Sequence, residues 1–222
     1  ATTFNELLDR IQESFNSQRR FISNASHELS TPLTSISSQL QVTLQRDRNT
    51  NEYRQVMQSV QEDVEQMRQL TKSLLDMARA GSQGNIELNE IRVDELLFRA
   101  MAEMKKINAS YEVELTFSDF PDDESHFLVF GNGDLLYIAI KNIIENGCKY
   151  STDQTSRVNL YFAGGTTIIE VESFGPAIAK EEMQDIFKPF YRSSNAVGTS
   201  GFGLGLALAK RIVGLHKDSL DV

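Results

Sequence analysis

The first residues whose chemistry stands out are a histidine followed directly by a glutamate, His27 and Glu28. A neutral imidazole can attack an electrophilic phosphorus atom, and a neighbouring carboxylate can accept the proton that the ring gives up. A histidine beside a glutamate is also ordinary on a helix surface, because most exposed polar side chains are simply solvated. The pair therefore indicates a nucleophile only if it is exposed and supplied with a phosphoryl donor.

The apolar pattern around this pair predicts that it faces solvent. At about 100° per residue, a helix gathers the apolar stripe within a sector of roughly 80°. The stripe contains Ile22, Ser26, Leu29, Leu33, Ile36 and Leu40. His27 lies about 140° from its centre, Thr31 about 180° and Glu28 about 120° on the other side. Pro32 cannot donate to the carbonyl of Glu28, so we expect a bend near the histidine.

A second group of polar residues recurs at helical spacing: Asn142, Asn146, Lys149 and the adjacent Tyr150. Amide oxygens are suitable for Mg²⁺, which accepts hard oxygen ligands alongside phosphate. A lysine supplies a point charge for phosphate. The alternative is a helix that packs its isoleucines inward and leaves these side chains in water.

Three glycines at alternate positions, Gly201, Gly203 and Gly205, directly precede a helical segment. Glycines allow backbone N–H groups to approach a phosphate, and the start of a helix attracts the anion. A dinucleotide-binding fold is disfavoured, because no strand leads into these glycines. The preceding segment 193–200 is predicted to be a loop, either a lid over a nucleotide or a flexible surface loop.

A helical hairpin is predicted to carry His27. Residues 1–80 contain one proline and no glycine, and their apolar residues recur at spacings of three and four. The polar segment 46–52 separates two such stretches. Each apolar stripe is narrow, so a lone hairpin buries too little, and two copies are expected to pair into a dimeric four-helix bundle.

From the segment GSQGN (81–85) onward, the pattern changes to mixed strands and helices, which predicts a domain boundary. Helices are predicted over 91–107, 134–151, 179–187 and 206–216, and strands over 112–117, 126–131, 157–162 and 167–173. Gly164-Gly165 indicates a hairpin between the last two strands. The predicted fold class is a helical hairpin followed by an α/β sandwich, in which helices cover one sheet.

Composition narrows the classes of partner. The net charge is −9 and the basic residues form no long cluster, which disfavours a nucleic-acid or anionic-membrane surface. Cys148 is the only cysteine, so no intrachain disulfide can form. No apolar run long enough for a membrane span and no signal peptide is recognised, and the abrupt helical start indicates a piece of a longer protein.

Together these residues resemble the histidine kinases of two-component systems, over nearly the whole chain. Four segments are similar to the family's motifs, in the family's order: FISNASHELSTPLTSI to the H-box, NIIENGCKYS to the N-box, IFKPFYRSS to the F-box and GFGLGLALAK to the G2 box. The resemblance implies three parts: the end of a HAMP-like linker (1–20), a dimerisation and phosphotransfer hairpin (21–82) and a GHKL-type ATP-binding domain (83–222). It also implies the cytoplasmic portion of a bacterial inner-membrane receptor.

The resemblance implies roles for the residues of the hairpin. His27 would take the γ-phosphoryl group of ATP and pass it to an aspartate of a response regulator, with Glu28 as general base. Thr31 matches the position that orients water in the phosphatase reaction on the phosphorylated regulator. The hairpin would form the homodimer, and the regulator would dock on the bundle near His27.

In the second domain, the resemblance implies binding of ATP and Mg²⁺. Asn146 would bind Mg²⁺, Asn142 and Lys149 would lie near the phosphates, and Tyr150 would lie beside adenine. The further nucleotide-binding residues would be Ser173, Gly175, Gly201, Gly203, Leu204 and Gly205.

Some positions depart from the family pattern. Ser173 stands where the family usually has the aspartate that receives the adenine amino group, Ala177 replaces a glycine, and Ser30 replaces a basic residue. The alternative to an active kinase is therefore a degenerate one, a dimeric scaffold or phosphatase with weak ATP binding. A third hypothesis is an ATPase of the gyrase and chaperone superfamily, which lacks an H-box.

Overall fold

The computed structural model describes residues 2–81, 87–118, 124–196 and 199–222, apart from the side chains of 2, 3, 124, 125 and 195. The chain forms two compact units, Ala1–Asp76 and Met77–Val222. The domain boundary that we predicted between residues 82 and 83 lies outside the described residues.

The predicted helical hairpin is confirmed. Helix α1 spans Thr2–Leu44 and helix α2 spans Thr50–Arg79. The start of α2 is fixed by a capping box: the N–H of Glu52 donates to Asn49 Oδ1 and the N–H of Asn49 donates to Glu52 Oε2, both at 3.0 Å. Gln39 Nε2 donates to Asp63 Oδ2 at 3.1 Å and links the two helices.

Helix α1 continues without a break through Pro32. The proline leaves the carbonyl of Glu28 without its usual partner within the helix. Hydroxyl groups donate to the carbonyl four residues earlier at distances between 2.8 and 3.1 Å, and they belong to Ser26, Ser30, Thr31 and Thr34. Such bonds favour bending of a helix, and the bend near His27 stays a prediction.

The second unit combines short strands with helices. Its strands are β1 (Asn89–Arg92), β2 (Glu112–Phe117), β3 (Leu128–Gly131), β4 (Thr155–Ala163) and β5 (Thr166–Glu172). Its helices are α3 (Val93–Ile107), α4 (Gly133–Tyr150) and α5 (Gly205–Leu215), with 3₁₀ turns at Glu124–Phe127 and Ser194–Ala196.

The described strands form two sheets. Strand β4 lies in the middle of a three-stranded sheet, parallel to β2 and antiparallel to β5, and β1 pairs antiparallel with β3. The turn between β4 and β5 has positive φ values of 59° at Gly164 and 80° at Gly165. These values are those that a two-residue hairpin turn requires, so the predicted β-hairpin is confirmed.

Helices α3 and α4 pack against the three-stranded sheet around an apolar core. Its largest fully buried side chains are Phe127, Leu97, Met104, Ile144 and Leu160. Burial of each stabilises the fold by about 1.5–3 kcal/mol. Cys148 is also fully buried, donates to the carbonyl of Glu112 at 3.2 Å, and has its pKa raised by burial, so it is a structural thiol.

Helix α5 packs against α4 and is attached to its start by a histidine. The N–H of Asn132 donates to His216 Nε2 at 3.0 Å, and His216 Nδ1 lies 2.8 Å from the carbonyl oxygen of Ile212. Asn132 in turn caps α4, because its Oδ1 accepts from the N–H of Leu135 at 3.0 Å. The imidazole thus fixes the end of α5 relative to the helix that carries the polar group at 142–150.

The described strands form two sheets where one was predicted, and three further details of the sequence prediction were wrong. The segment 179–187 forms successive turns and no regular helix, with short-range bonds such as Glu182 N–H to Ala179 O at 2.9 Å. So short a segment lacks the cooperativity that sustains a helix without help from its surroundings. The predicted strand over 126–131 begins only at Leu128, after a 3₁₀ turn, and strand β1 was missed.

Candidate functional site

The predicted exposure of the His27 face agrees with the structure. His27, Glu28 and Thr31 are all exposed on α1. The hydroxyl of Thr31 donates to the carbonyl of His27 at 3.1 Å, so its own orientation is tied to the backbone of the histidine. Because the imidazole is exposed, a phosphoryl donor in solution or on another domain can reach the ring. The Glu28 carboxylate follows one residue later.

The apolar stripe of α1 is only partly covered within one hairpin. Leu29 and Ile36 are half-buried. Ile22, Leu33 and Leu40 retain 58%, 56% and 46% of their accessible surface. Exposed apolar surface in a continuous stripe is typical of a helix that meets a partner.

Helix α4 presents the second predicted group on one half-buried face. Asn142, Asn146, Lys149 and Tyr150 are all partly accessible. Asn142 Nδ2 donates to the carbonyl of Ile138 at 2.7 Å, and no described residue donates to its Oδ1. Among the described residues, none forms a hydrogen bond with the side-chain amide of Asn146, which is therefore available to a ligand.

The glycine segment approaches this face of α4 closely. A Cβ added to Gly201 would lie 2.5 Å from Lys149 Nζ, and one added to Gly205 would lie 3.1 Å from Asn142 Oδ1. Gly201 and Gly203 have φ values of 127° and 67°, which L side chains rarely adopt. The structure therefore brings together two predicted groups that lie far apart in the sequence, and the φ values at Gly201 and Gly203 favour glycine.

Among the residues that the structure describes, no side chain caps the start of α5. Leu204 precedes the helix, is almost fully buried and forms no side-chain cap. The first N–H groups of a helix have no partner within it, and they carry a partial positive charge. A phosphate group at this position would satisfy them, and the glycines leave room for it.

Lys149 is a partly desolvated cation. Burial lowers its pKa, the nearby Glu145 carboxylate partly opposes this, and Arg192 lowers the pKa further. Within the described part of the chain, Lys149 forms no salt bridge, and its Nζ lies 5.2 Å from the ring centroid of Tyr150. A bound anion would offset the cost of desolvation, so Lys149 fits a phosphate-binding role.

The turn after β5 lies against the end of the same helix. Ser173 is exposed directly after the strand, and a Cβ on Gly175 would collide with the carbonyl oxygen of Tyr150. Gly175 is therefore required for close approach of the two backbones. The residues predicted at the adenine end of the site, Tyr150 and Ser173, belong to these two neighbouring segments.

Sequence reasoning missed the residues that fasten the loop before the glycines. Arg192 Nη2 donates to the carbonyl of Ala196 at 2.6 Å and also to that of Thr199. Glu182 Oε1 accepts from the hydroxyl of Tyr191 at 3.0 Å. Since the partners of Arg192 are backbone carbonyls, no residue type or spacing in the sequence could have indicated them.

Two family models match the chain in the order that the structure shows. Residues 17–83 match the His Kinase A (phospho-acceptor) domain. Residues 131–222 match the histidine kinase-, DNA gyrase B-, and HSP90-like ATPase. A phospho-acceptor hairpin followed by such an ATPase domain defines the class of histidine kinases. It also removes the hypothesis of an ATPase without an H-box.

The relatives agree with this class. Sensor protein CutS of Streptomyces coelicolor is 29% identical over 220 residues, which is 97% of this chain and 52% of CutS. Sensor histidine kinase CpxA of Escherichia coli is 29% identical over 224 residues, 97% of this chain and 46% of CpxA. The chain belongs to the sensor histidine kinases of two-component systems. It spans about half the length of the curated relatives that it matches.

Solved structures share the fold. Histidine kinase ThkA, in complex with the response regulator TrrA, superposes with a TM-score of 0.71 at 15% identity, over 97% of this chain and 60% of ThkA. Histidine kinase AdeS of Acinetobacter baumannii gives a TM-score of 0.62 at 20% identity, over 85% of this chain and 86% of AdeS. The predicted fold class is thereby confirmed.

Proposed function

We propose that this chain catalyses the ATP-dependent phosphorylation of His27 and the transfer of that phosphoryl group to an aspartate of a response regulator. The observation that carries the proposal is the approach of the glycine segment to Asn142 and Lys149 on α4. It builds a site for a phosphorylated ligand in a chain that also exposes His27.

The residues present fit ATP. The backbone at Gly201, Gly203, Leu204 and Gly205 would hold the phosphates, which the uncapped start of α5 favours. Lys149 would neutralise phosphate charge, with Asn142 beside it, and Tyr150 would contact adenine together with the Ser173 and Gly175 turn. Asn146 would hold Mg²⁺, which stabilises charge on the transferred phosphoryl group when it is bound.

The chain's residues would move one proton and one phosphoryl group. A ring nitrogen of His27 attacks the γ-phosphorus, the bond to the β,γ-bridging oxygen breaks, and ADP leaves. Glu28 accepts the proton that the imidazole ring releases. In the opposing phosphatase reaction, Thr31 would orient a water molecule for dephosphorylation of the regulator. The protein would then have both kinase and phosphatase activity.

Titration of the protein with ATP and Mg²⁺ in a calorimeter tests the nucleotide site. We expect saturable binding with one site per chain. No heat of binding at millimolar ATP would remove the kinase proposal and would favour the degenerate alternative, a dimeric scaffold or phosphatase. Ser173 is the specific observation behind that alternative, because a neutral hydroxyl would meet the adenine amino group where the family uses a carboxylate.

Substitution of Ser173 by aspartate is expected to tighten ATP binding about fivefold. A hydrogen bond to a carboxylate is worth about 1 kcal/mol more than one to a hydroxyl. Ser110→Asp adds the same charge at an exposed turn outside the site and serves as the control. Equal or weaker ATP affinity of the Ser173→Asp protein, measured in the same titration, would show that Ser173 does not contact the base.

We propose that two copies pair through the hairpin, and this makes a prediction for the mass in solution. Light scattering at micromolar concentration is expected to give a dimer, and Leu33→Glu to shift it toward monomer. Full burial of one Leu33 side chain stabilises the dimer by about 1.5–3 kcal/mol, and a two-fold dimer buries two such side chains. Val42→Glu replaces a residue that is 50% exposed on the opposite side of α1 and should leave the dimer intact. A monomeric wild type would contradict the pairing.

We further propose that the chain is the cytoplasmic portion of a bacterial inner-membrane receptor, with residues 1–20 as the end of a HAMP-like linker. The names of its relatives as sensor proteins support this. The helices within the described ranges contain no segment long and apolar enough to cross a membrane. Since α1 runs as one helix from Thr2 past His27, a displacement at its start would be carried to the histidine.

A further inference from the structure

The turn after β5 is held by a cluster of side chains that have no role in the ATP site proposed above. The cluster consists of Asp153, Arg157 and Phe174, and it is called the turn clamp below. We propose that Arg157 and Phe174 are positioning residues, which hold Ser173 and Gly175 where a nucleotide base can be bound. This inference rests on the proposed ATP site and adds to it the residues that set its geometry.

The carbonyl group of Phe174 is the first point of attachment. It accepts from the N–H of Thr152 at 2.7 Å and from the Thr152 hydroxyl at 2.8 Å. The hydroxyl of Ser151 lies 3.2 Å from the same oxygen. The N–H and the hydroxyl of Thr152 therefore both donate to one peptide carbonyl of the turn, and this couples the turn to the helix that ends at Tyr150.

The aromatic ring of Phe174 is the second point of attachment. Phe174 is 61% exposed, and the guanidinium carbon of Arg157 lies 4.5 Å from its ring centroid. A cation over an aromatic face is attractive, and a planar guanidinium stacks well on such a ring. The ring is therefore held on the outer side of the sheet by Arg157 and not by burial in the core.

Arg157 is itself fixed by two carboxylates. Its Nη2 donates to Asp153 Oδ2 at 2.9 Å, and its Nε lies 3.1 Å from Glu114 Oε2. The pKa of Asp153 is lowered to about 2, first by a hydrogen bond from Ser151 and then by Arg157. The carboxylate thus stays charged throughout the neutral range, and the orientation of the guanidinium is maintained.

The turn clamp acts on a turn whose backbone is also constrained by the end of α4. Gly175 already lies so close to the carbonyl of Tyr150 that a Cβ would collide. Ser173 and Gly175 flank Phe174 in the chain, so a shift of Phe174 moves both relative to Tyr150. Loss of the stack is expected to alter binding of the base without touching the phosphate-binding residues.

The test compares Arg157→Gln and Phe174→Leu with the wild-type chain. The dissociation constant of ATP with Mg²⁺ and the rate of phosphorylation at saturating ATP are both measured, together with the melting temperature. We expect the dissociation constant to rise about fivefold, as loss of an exposed cation–aromatic contact implies, and the saturated rate to change less than about twofold. Phe174→Tyr keeps the ring and should restore wild-type affinity.

Arg99→Gln is the matched control. The guanidinium carbon of Arg99 lies 3.9 Å from the ring centroid of Tyr137, and its Nη1 lies 3.8 Å from Asp134 Oδ1. Like Arg157, Arg99 therefore contacts both an aromatic ring and a carboxylate, but it does so near the start of α4. Its loss should leave ATP affinity unchanged. If Arg157→Gln and Phe174→Leu bind ATP with wild-type affinity, the positioning role is overturned. It is also overturned if both variants lose affinity, rate and melting temperature together and Phe174→Tyr does not have wild-type affinity. Failure of the wild type itself to bind ATP would instead overturn the proposed function.

Discussion

His27→Gln is expected to abolish transfer of the γ-phosphoryl group from ATP to the protein, while the affinity for ATP stays within about twofold of wild type. Glutamine has no nucleophilic ring nitrogen, so the acceptor chemistry is removed completely. His27 is exposed on α1, and a substitution at such a position changes stability by less than about 0.5 kcal/mol. Labelled ATP and autoradiography measure the loss, and calorimetry measures the retained binding.

His126→Gln is the matched control for this variant. His126 is an exposed histidine of the ATPase unit, and its ring lies 5.9 Å from that of Phe162. The same substitution there should leave labelling at the wild-type level. Persistent labelling of the His27→Gln protein would place the acceptor elsewhere in the chain and contradict the proposal.

Asn146→Ala is expected to lower the rate of phosphorylation at least about a hundredfold, because the amide oxygen would be lost from the metal that positions the phosphates. The side chain is half-buried on α4 and none of the described residues satisfies its amide, so its removal should cost the fold little. The effect is measured as the initial rate of labelling over a range of Mg²⁺ concentrations.

The dependence on Mg²⁺ identifies the cause of that loss. A metal-binding role predicts that higher Mg²⁺ partly restores the rate of Asn146→Ala, since mass action offsets a weakened site. Asn89→Ala, at an exposed position of β1, is the control and should behave as wild type. A normal rate in Asn146→Ala would contradict the metal-binding role of Asn146.

The elements with strong periodicity were predictable from sequence. Helices α4 and α5 begin and end within about two residues of the prediction, because their apolar residues recur at helical spacing over several turns. Strand β1 was missed because its four residues run directly into α3, where the helical pattern is stronger. The segment 179–187 was misjudged because its composition suits a helix but its turns are fixed by contacts such as the one between Glu182 and Tyr191.

The candidate site was predictable in its residues but not in its geometry. Lys149 and Gly201 each had a chemical signature, yet only the structure shows that Gly201 lies against Lys149 Nζ and has a φ value that favours glycine. The contact between Arg157 and Phe174 had no signal in the sequence, since it pairs one residue of β4 with one residue of the turn after β5.

The central claim is that ATP phosphorylates His27, and mapping of the phosphoryl group tests it most directly. The wild-type chain is incubated with γ-labelled ATP and Mg²⁺, and the labelled protein is then treated with acid or alkali, digested and analysed by mass spectrometry. A phosphorus–nitrogen bond predicts label that acid removes and alkali retains, on the peptide that contains His27. Acid-stable label on a serine or threonine, or ATP hydrolysis with no label on the protein, would contradict the account.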